Sequence, residues 1–345
     1  MGYNLFMEKS NIKLNWPLIG NSHIIEYLAK SIANNKVAGS YIFTGPDNLG
    51  KTTVANFFAS SLICTAKDKK DAPCGQCLPC QQAAKGIHGD IHLIKKDKEK
   101  KNISIEQVRD FIRTLGLSSF LNSYKIGIIK HAEDLSLEAV NALLKTLEEP
   151  KLKVVIILIT TAAESLPATI VSRSQILKFY PLPVDIIYDY LIKHHQASRS
   201  LAKNISRLCL GRPALAVKFL EDKEFYERYK ERVGVFLNFF TDDINNRLLA
   251  LEELVGRETR GQESIRLGLK LIEIWQGLAR DLVLQFFSQD DLIQHYAFAK
   301  ELERARDKID IIGLLKLFSL LKQAREFIKA NVNPKLALEQ VAINI

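Results

Sequence analysis

The sequence predicts an α/β chain in which a parallel sheet flanked by helices occupies the first 182 residues and two helical regions follow. Three observations predict it. Short apolar runs alternate with amphipathic helical stretches as far as "FYPLPVD", the pattern of a parallel sheet covered on both faces. One of those runs leads directly into Gly45-Pro46-Asp47-Asn48-Leu49-Gly50-Lys51-Thr52, which satisfies G-x-x-x-x-G-K-[ST]. From Val184 onward the periodicity is helical, with no convincing strand.

The elements follow in order. In "NWPLIGNSHIIEYLAKSIANNKV" a turn precedes an amphipathic helix whose Ile24, Leu28 and Ile32 lie one turn apart. A short strand, Tyr41 to Thr44, enters the glycine loop, and a helix starts at Lys51. A cysteine-rich insert spans Cys64 to Cys80, and "ISIEQVRDFIRTLGL" forms a helix leading to a strand at Ile126 to Ile129. "SLEAVNALLKTLEEP" is a helix with Ser136 as N-cap, an apolar stripe of Leu137, Val140, Leu144 and Leu147, and Pro150 as its stop. "KVVIILITT" is a buried strand. Pro181 and Pro183 form a hinge, and "CLGRPALAVKFL" separates two helices of a small bundle. The expected domains are therefore 1–182, 183–224 and 225–345.

Bulk properties narrow the function. At 345 residues, 47% hydrophobic and 25% charged, the chain is an ordinary globular protein of two or three domains. The longest purely apolar run, Val154 to Ile159, is far short of a membrane span, so no membrane partner is expected. The first residues, "MGYNLFMEKSNIKLNW", lack a basic-then-apolar signal, and Phe6 stands where a myristoylation signal takes Ser or Thr. A cytoplasmic location is expected. The net charge of +9 is mild, and "KKDKEKKN" from Lys95 mixes signs like a solvated loop. The seven histidines form no HExxH pair, no G-x-S-x-G elbow occurs, and Cys209 beside an apolar stretch reads as core. Acyl-transfer catalysis has no support.

Two motifs carry chemistry. In the glycine loop, Gly45 and Gly50 let backbone N–H groups turn toward a phosphate chain. Lys51 supplies a point charge to the outer phosphates, the Thr52 hydroxyl reaches magnesium, and Thr53 follows in the helix. ATP or ADP is the expected ligand. Magnesium on a triphosphate needs an acidic partner, yet the strand Ile126 to Ile129 is followed by Lys130 and His131. The second motif, Cys64, Cys74, Cys77 and Cys80, has spacing C-x9-C-x2-C-x2-C. Four clustered thiols suit a closed tetrahedral zinc site of structural type, and disulfides are disfavoured in a cytoplasmic chain.

"NALLKTLEEP" at Asn141 to Pro150, the glycine loop, the four-cysteine insert and "ATIVSRS" at Ala168 to Ser174 occur together. In that order they closely resemble the clamp-loader subunits of bacterial DNA polymerase III, which are AAA+ proteins. "LIEIWQGLARDLVL" at Leu271 and "ANVNPKLALEQVAI" at Ala330 resemble the collar helices of the same family. The resemblance implies an AAA+ P-loop domain with a zinc-binding insert, a small helical lid and an all-α collar. It also implies a hetero-pentameric ring with gamma/tau-type and delta-type subunits, which loads a sliding clamp onto primed DNA. The hydrolysing gamma/tau type carries Asp-Glu where Lys130 and His131 stand, and Glu133 and Asp134 fall about one turn beyond the strand. Ala214 stands where that type has a sensor arginine, and the chain stops at the collar. These departures resemble the delta-prime type, a stationary subunit that hydrolyses no ATP itself. It presents an arginine finger to its neighbour, here Arg173 with Ser172. The family motif is Ser-Arg-Cys, and Ser174 replaces the cysteine. A working gamma/tau-type ATPase with a shifted acidic pair is the alternative.

Overall fold

The computed structural model of the chain describes residues 16, 18–68, 72–97, 100, 102–119, 123–149, 153–256 and 261–345. Phe6, the helix stop Pro150 and the charged residues Lys98, Glu99 and Lys101 lie outside the described residues. The chain divides into two compact units. One comprises residues up to Leu182 together with Arg212–Ala214, and the other Pro183–Gly211 and Leu215–Ile345.

In the first unit, α1 (Ser22–Ala33) buries Ile24, Leu28 and Ile32, as their spacing requires. β1 (Ser40–Thr44) is buried at all five positions and runs through the loop into α2 (Lys51–Ile63). Then come α3 (Leu78–Ala84), β2 (Ile91–Ile94), α4 (Ile105–Leu115), β3 (Lys125–Lys130) and α5 (Leu137–Glu148). β4 (Val154–Thr160), α6 (Ala168–Val171) and β5 (Gln175–Lys178) complete the unit's main elements. The sheet order is β2-β3-β4-β1-β5, and every pairing is parallel. Side chains alternate across it: Tyr41, Phe43, Ile126 and Ile157 pack with α1 and α2 on one face. Ile42, Ile129, Ile156 and Leu158 pack with α4 and α5 on the other. Each fully buried aliphatic side chain contributes about 1.5–3 kcal/mol. The stability of the sheet therefore resides in its middle, and its two ends are free to carry polar groups.

Local sequence explains the elements and the exceptions. Ser136 caps α5 by accepting from the Ala139 N–H, as expected. Leu137, placed on the apolar stripe by periodicity, is instead 71% exposed, because the first residue of the helix precedes its packed face; Leu143 is buried with Val140 and Leu147. β2 and β5 escaped the sequence reading because they are edge strands of four residues with little buried surface, so no apolar run marks them. Gly127 in β3 is required by packing: a Cβ there would stand 2.2 Å from Cζ of Phe111.

The second unit has no strand among its described residues. Its helices are α7 (Val184–His195), α8 (Arg199–Leu208), most of α9 (Pro213–Glu221), α10 (Lys223–Asn238) and α11 (Ile244–Val255). They continue with α12 (Gln262–Phe286), α13 (Ala299–Arg306), α14 (Ile311–Lys329) and α15 (Pro334–Asn344). Trp275 is fully buried, stacked 5.3 Å from Phe236 and edge-on 5.4 Å from Phe239. A buried polar chain pins α12 to α10: Asp281 Oδ2 lies 2.8 Å from His295 Nδ1, and His295 Nε2 lies 2.8 Å from the Tyr229 hydroxyl. Cys209 is buried, as a core thiol should be. No described helix is long and apolar enough to cross a membrane.

Candidate functional site

The sequence-derived site residues fall into three places on the first unit. The first is the carboxyl end of the sheet, where ligands of open α/β sheets bind. β1 stops at Thr44 and α2 starts at Lys51, so Gly45 to Gly50 turn between a buried strand and a helix N-terminus, the geometry that offers amides to an anion. Gly45 has φ 138°, and a Cβ on it would stand 2.5 Å from the Phe179 carbonyl oxygen; Gly50 has φ 88°. Only glycine fits the first position. Lys51 is buried, and its ammonium donates to the carbonyls of Pro46 (2.8 Å) and Gly45, with an Asp47 carboxylate oxygen at 3.8 Å. Burial lowers the Lys51 pKa, and the charges of Asp47 and Glu133 work against that shift. The Ala214 N–H donates to the Asn48 carbonyl (3.0 Å). What meets the loop at the expected sensor-arginine position is thus a backbone amide.

The neighbouring strand ends supply the rest of this first place. β3 closes with Lys130, and His131 turns the chain through φ 51° into a 3₁₀ turn, Ala132–Asp134. The two acidic residues of that turn part company. Asp134 pairs with Lys96 at 2.8 Å. Glu133 folds back: its Oε1 accepts from the Thr161 hydroxyl (3.1 Å) and the Thr161 N–H (3.4 Å), just past the end of β4. Its Oε2 is buried and accepts no hydrogen bond from the described residues. Burial would raise the Glu133 pKa, but bonds from His131, its own backbone, Thr160 and Thr161 outweigh it and hold the carboxyl at about 2. The bond to Glu133 raises the His131 pKa, with burial opposing and Asp47 and Asp134 assisting. Glu133 is a turn beyond the strand along the chain, yet the turn returns its carboxylate to the end of β4. Thr161 was missed by sequence reasoning, although its place at the mouth of a central strand is a signal.

Arg173 occupies the second place, at the other end of the sheet. It follows α6 and precedes edge strand β5, whose Gln175 lies opposite Tyr41 and whose Lys178 lies opposite Thr44. The strand from Gln175 to Lys178 therefore separates Arg173 from its own phosphate loop, roughly 13 Å at ~3.3 Å per residue. Arg173 Nη1 donates to the Thr169 carbonyl (3.0 Å) and to Ser172 Oγ (3.3 Å). Its Nη2 pairs with Glu148 Oε1 at 2.6 Å. Ser174, the departure from Ser-Arg-Cys, has a partner here: its Oγ lies 2.7 Å from Ser40 Oγ and donates to the Ile170 carbonyl (3.0 Å). The serine fixes the segment to the start of β1.

The third place lies beyond the far end of α2. Ligand atoms of Cys64, Cys74, Cys77 and Cys80 all lie within 4.8 Å of one another, and no cysteine of the chain is in a disulfide. A tetrahedral ion with bonds of about 2.3 Å sets sulfurs roughly 3.8 Å apart, so a small inward movement completes the coordination. The Cys74 N–H points at Cys64 Sγ and the Cys77 N–H at Cys74 Sγ, yet burial pushes the Cys64 and Cys80 thiols up, so thiolates are favoured at Cys74 and Cys77 alone. Amide bonds from Cys77 and Gln76 lower the Cys74 pKa. At Cys77 burial opposes, but bonds from Thr65 and Cys80 bring the thiol down to about 6. The donor set fits a metal ion. The Trp16 indole N–H, donating to the Ala72 carbonyl (3.3 Å), ties the insert to the residues before α1.

A protein-family model described as DNA polymerase III, delta subunit, matches residues 20–183. The delta' subunit of DNA polymerase III from Bacillus subtilis is 28% identical over 323 residues, covering 87% of this chain and 95% of that protein. The tau subunit from the same organism is 35% identical over 162 residues, but this spans only 28% of that protein. The crystal structure of a DNA polymerase III gamma subunit-related protein from Thermotoga maritima superposes with a TM-score of 0.53 at 18% identity. It covers 92% of this chain and 97% of that one, which shows the fold alone.

Proposed function

We propose that this chain is a clamp-loader subunit of the delta-prime type acting in DNA replication, with a division of labour among its three sites. It sits in a ring beside gamma/tau-type and delta-type subunits and helps place a sliding clamp on primed DNA in the cytoplasm. The loop Gly45 to Thr53 holds ATP or ADP without turning it over. A lysine at Lys130 repels magnesium where a carboxylate would hold it, and His131 cannot orient water as a glutamate does. Arg173, backed by Ser172, serves as the arginine finger for nucleotide held by the next subunit. The observation that carries this is its position: Arg173 is at the opposite end of the sheet from its own phosphate loop, so any phosphate it serves belongs to another chain. Zinc held by Cys64, Cys74, Cys77 and Cys80 would supply a tetrahedral cross-link for the insert. Residues 183–224 act as a lid and 225–345 as the collar that joins the ring.

The second reading, a gamma/tau-type ATPase, draws on Glu133, whose carboxylate is held at the end of β4 and bears on the charge of Lys51. One assay separates them. The purified chain should bind nucleotide and show no ATP turnover above background, while joining a gamma-type subunit on co-purification. Turnover that Lys51→Ala abolishes would instead assign the hydrolytic role to this chain, with Glu133 as its carboxylate.

A further inference from the structure

Glu148 is the last residue of α5, and Glu149 caps it. Two carboxylates at a helix C-terminus oppose the helix dipole, which favours cations there. Glu148 is compensated from outside its own helix: Arg173 Nη2 lies 2.6 Å from its Oε1. The other terminal nitrogen of the same guanidinium is also engaged, on the Thr169 carbonyl and Ser172 Oγ. Both prongs of the fork that would grip a phosphate are thus held by the chain's own oxygens, and the positive charge it would lend is paired with a carboxylate. The hold is light, since Arg173 is 35% and Glu148 48% exposed at the side chain. Pairs so open to water are worth little and are readily exchanged for a more highly charged phosphate.

We propose that Glu148 is a latch on Arg173: a positioning residue that keeps the guanidinium turned onto its own subunit until the γ-phosphate of a nucleoside triphosphate on the neighbouring subunit displaces it. This rests on the arginine-finger reading of Arg173. Glu148 touches no substrate and acts through Arg173. Its consequence is regulatory. In the ring without DNA and clamp, the pair shields the finger and keeps turnover low. When the subunits close, the phosphate wins the exchange and the latch has no further effect.

The test uses the complete clamp loader rebuilt with variants of this chain, with ATP turnover measured with and without clamp and primed DNA. Glu148→Gln keeps the shape and removes the charge. It should raise turnover without DNA about two- to five-fold, the size set by a half-exposed ion pair, and leave the DNA-stimulated rate near that of the original complex. Glu148→Asp should restore the low unstimulated rate at least in part. In the double variant Glu148→Gln, Arg173→Ala, turnover should match that of Arg173→Ala alone, because the latch has nothing left to hold. If Arg173→Ala lowers turnover while Glu148→Gln leaves or lowers the unstimulated rate, the latch is wrong and the finger stands. If Arg173→Ala leaves turnover unchanged, both are wrong. A shift in thermal unfolding by Glu148→Gln with no change in either rate reduces the pair to a structural tie between α5 and the segment before β5.

Discussion

The two ends of the five-stranded sheet carry their charges differently. At the carboxyl end, Asp47 and Lys51 meet His131 and Glu133: Asp47 and Glu133 bear on the ionisation of Lys51 and of His131, and His131 on that of Glu133. At the amino end, Arg173 and Glu148 form one half-exposed pair with neither group buried. A buried, hydrogen-bonded ammonium such as that of Lys51 resists change, whereas an exposed pair exchanges partners with little loss. The difference teaches how one sheet can carry two kinds of charge, and on the proposed reading the carboxyl end would hold a nucleotide while the amino end would yield to a neighbour's phosphate.

The comparison can be strained first through the metal site, where the largest effect is expected. A structural zinc ion contributes on the order of 10 kcal/mol to a small metal-folded element. Chelation, or Ser at any of the four cysteines, should unfold the insert and release one equivalent of metal. α2 has 13 residues and sets the cysteines about 20 Å from the loop, so nucleotide binding should survive. Elemental analysis with a nucleotide-binding titration checks both halves, and loss of binding along with the metal would mean the regions are not independent.

A smaller effect is expected at Gly45. Alanine there meets the Phe179 carbonyl oxygen and a positive φ together, which should cost on the order of 3 kcal/mol and weaken nucleotide binding. Urea unfolding followed by a probe in the first unit measures it. Alanine at Gly45 with full stability and affinity would show that the holding end is looser than its geometry says.

Smallest is the effect of Glu133→Gln. The folded pKa of Glu133, about 2, lies below the ordinary 4.5. Its ionised form therefore stabilises the fold above pH ~4.5, and this is lost as pH falls through about 2. The variant should be less stable by about 1–2 kcal/mol near neutral pH, the difference closing in acid. Because the bond to Glu133 is the main cause of the raised His131 pKa, the variant should also lower that value in an NMR titration. An unmoved His131 would uncouple the two residues.

The central strands, the glycine loop and the cysteine cluster were legible in the sequence because each is fixed by local pattern: an apolar run, a turn that only glycine fits, a ligand spacing. The edge strands β2 and β5 were not, since an edge of four residues buries too little to leave a pattern. The approach of Glu133 to Thr161 joins residues 28 apart in sequence through a turn at His131, and no periodicity encodes it. Glu148 lies in "NALLKTLEEP", and its pairing with Arg173 joins the end of α5 to the segment before β5, 25 residues on, which no periodicity encodes. Ser174 illustrates the reverse case. It stands out as a departure from a motif, and the Ser40 hydroxyl and the Ile170 carbonyl beside it give the serine a role.

The most direct measurement of the finger assignment is DNA-stimulated ATP turnover by the assembled clamp loader carrying Arg173→Ala in this chain. Removing such a finger slows the site it serves by roughly 10³–10⁵, and lysine should restore only part of it, because a point charge lacks the planar fork. With assembly verified, the complex should lose the turnover of one neighbouring site and load clamps poorly. Turnover and loading equal to those of the unaltered complex would make Arg173 a surface residue paired with Glu148 and nothing more.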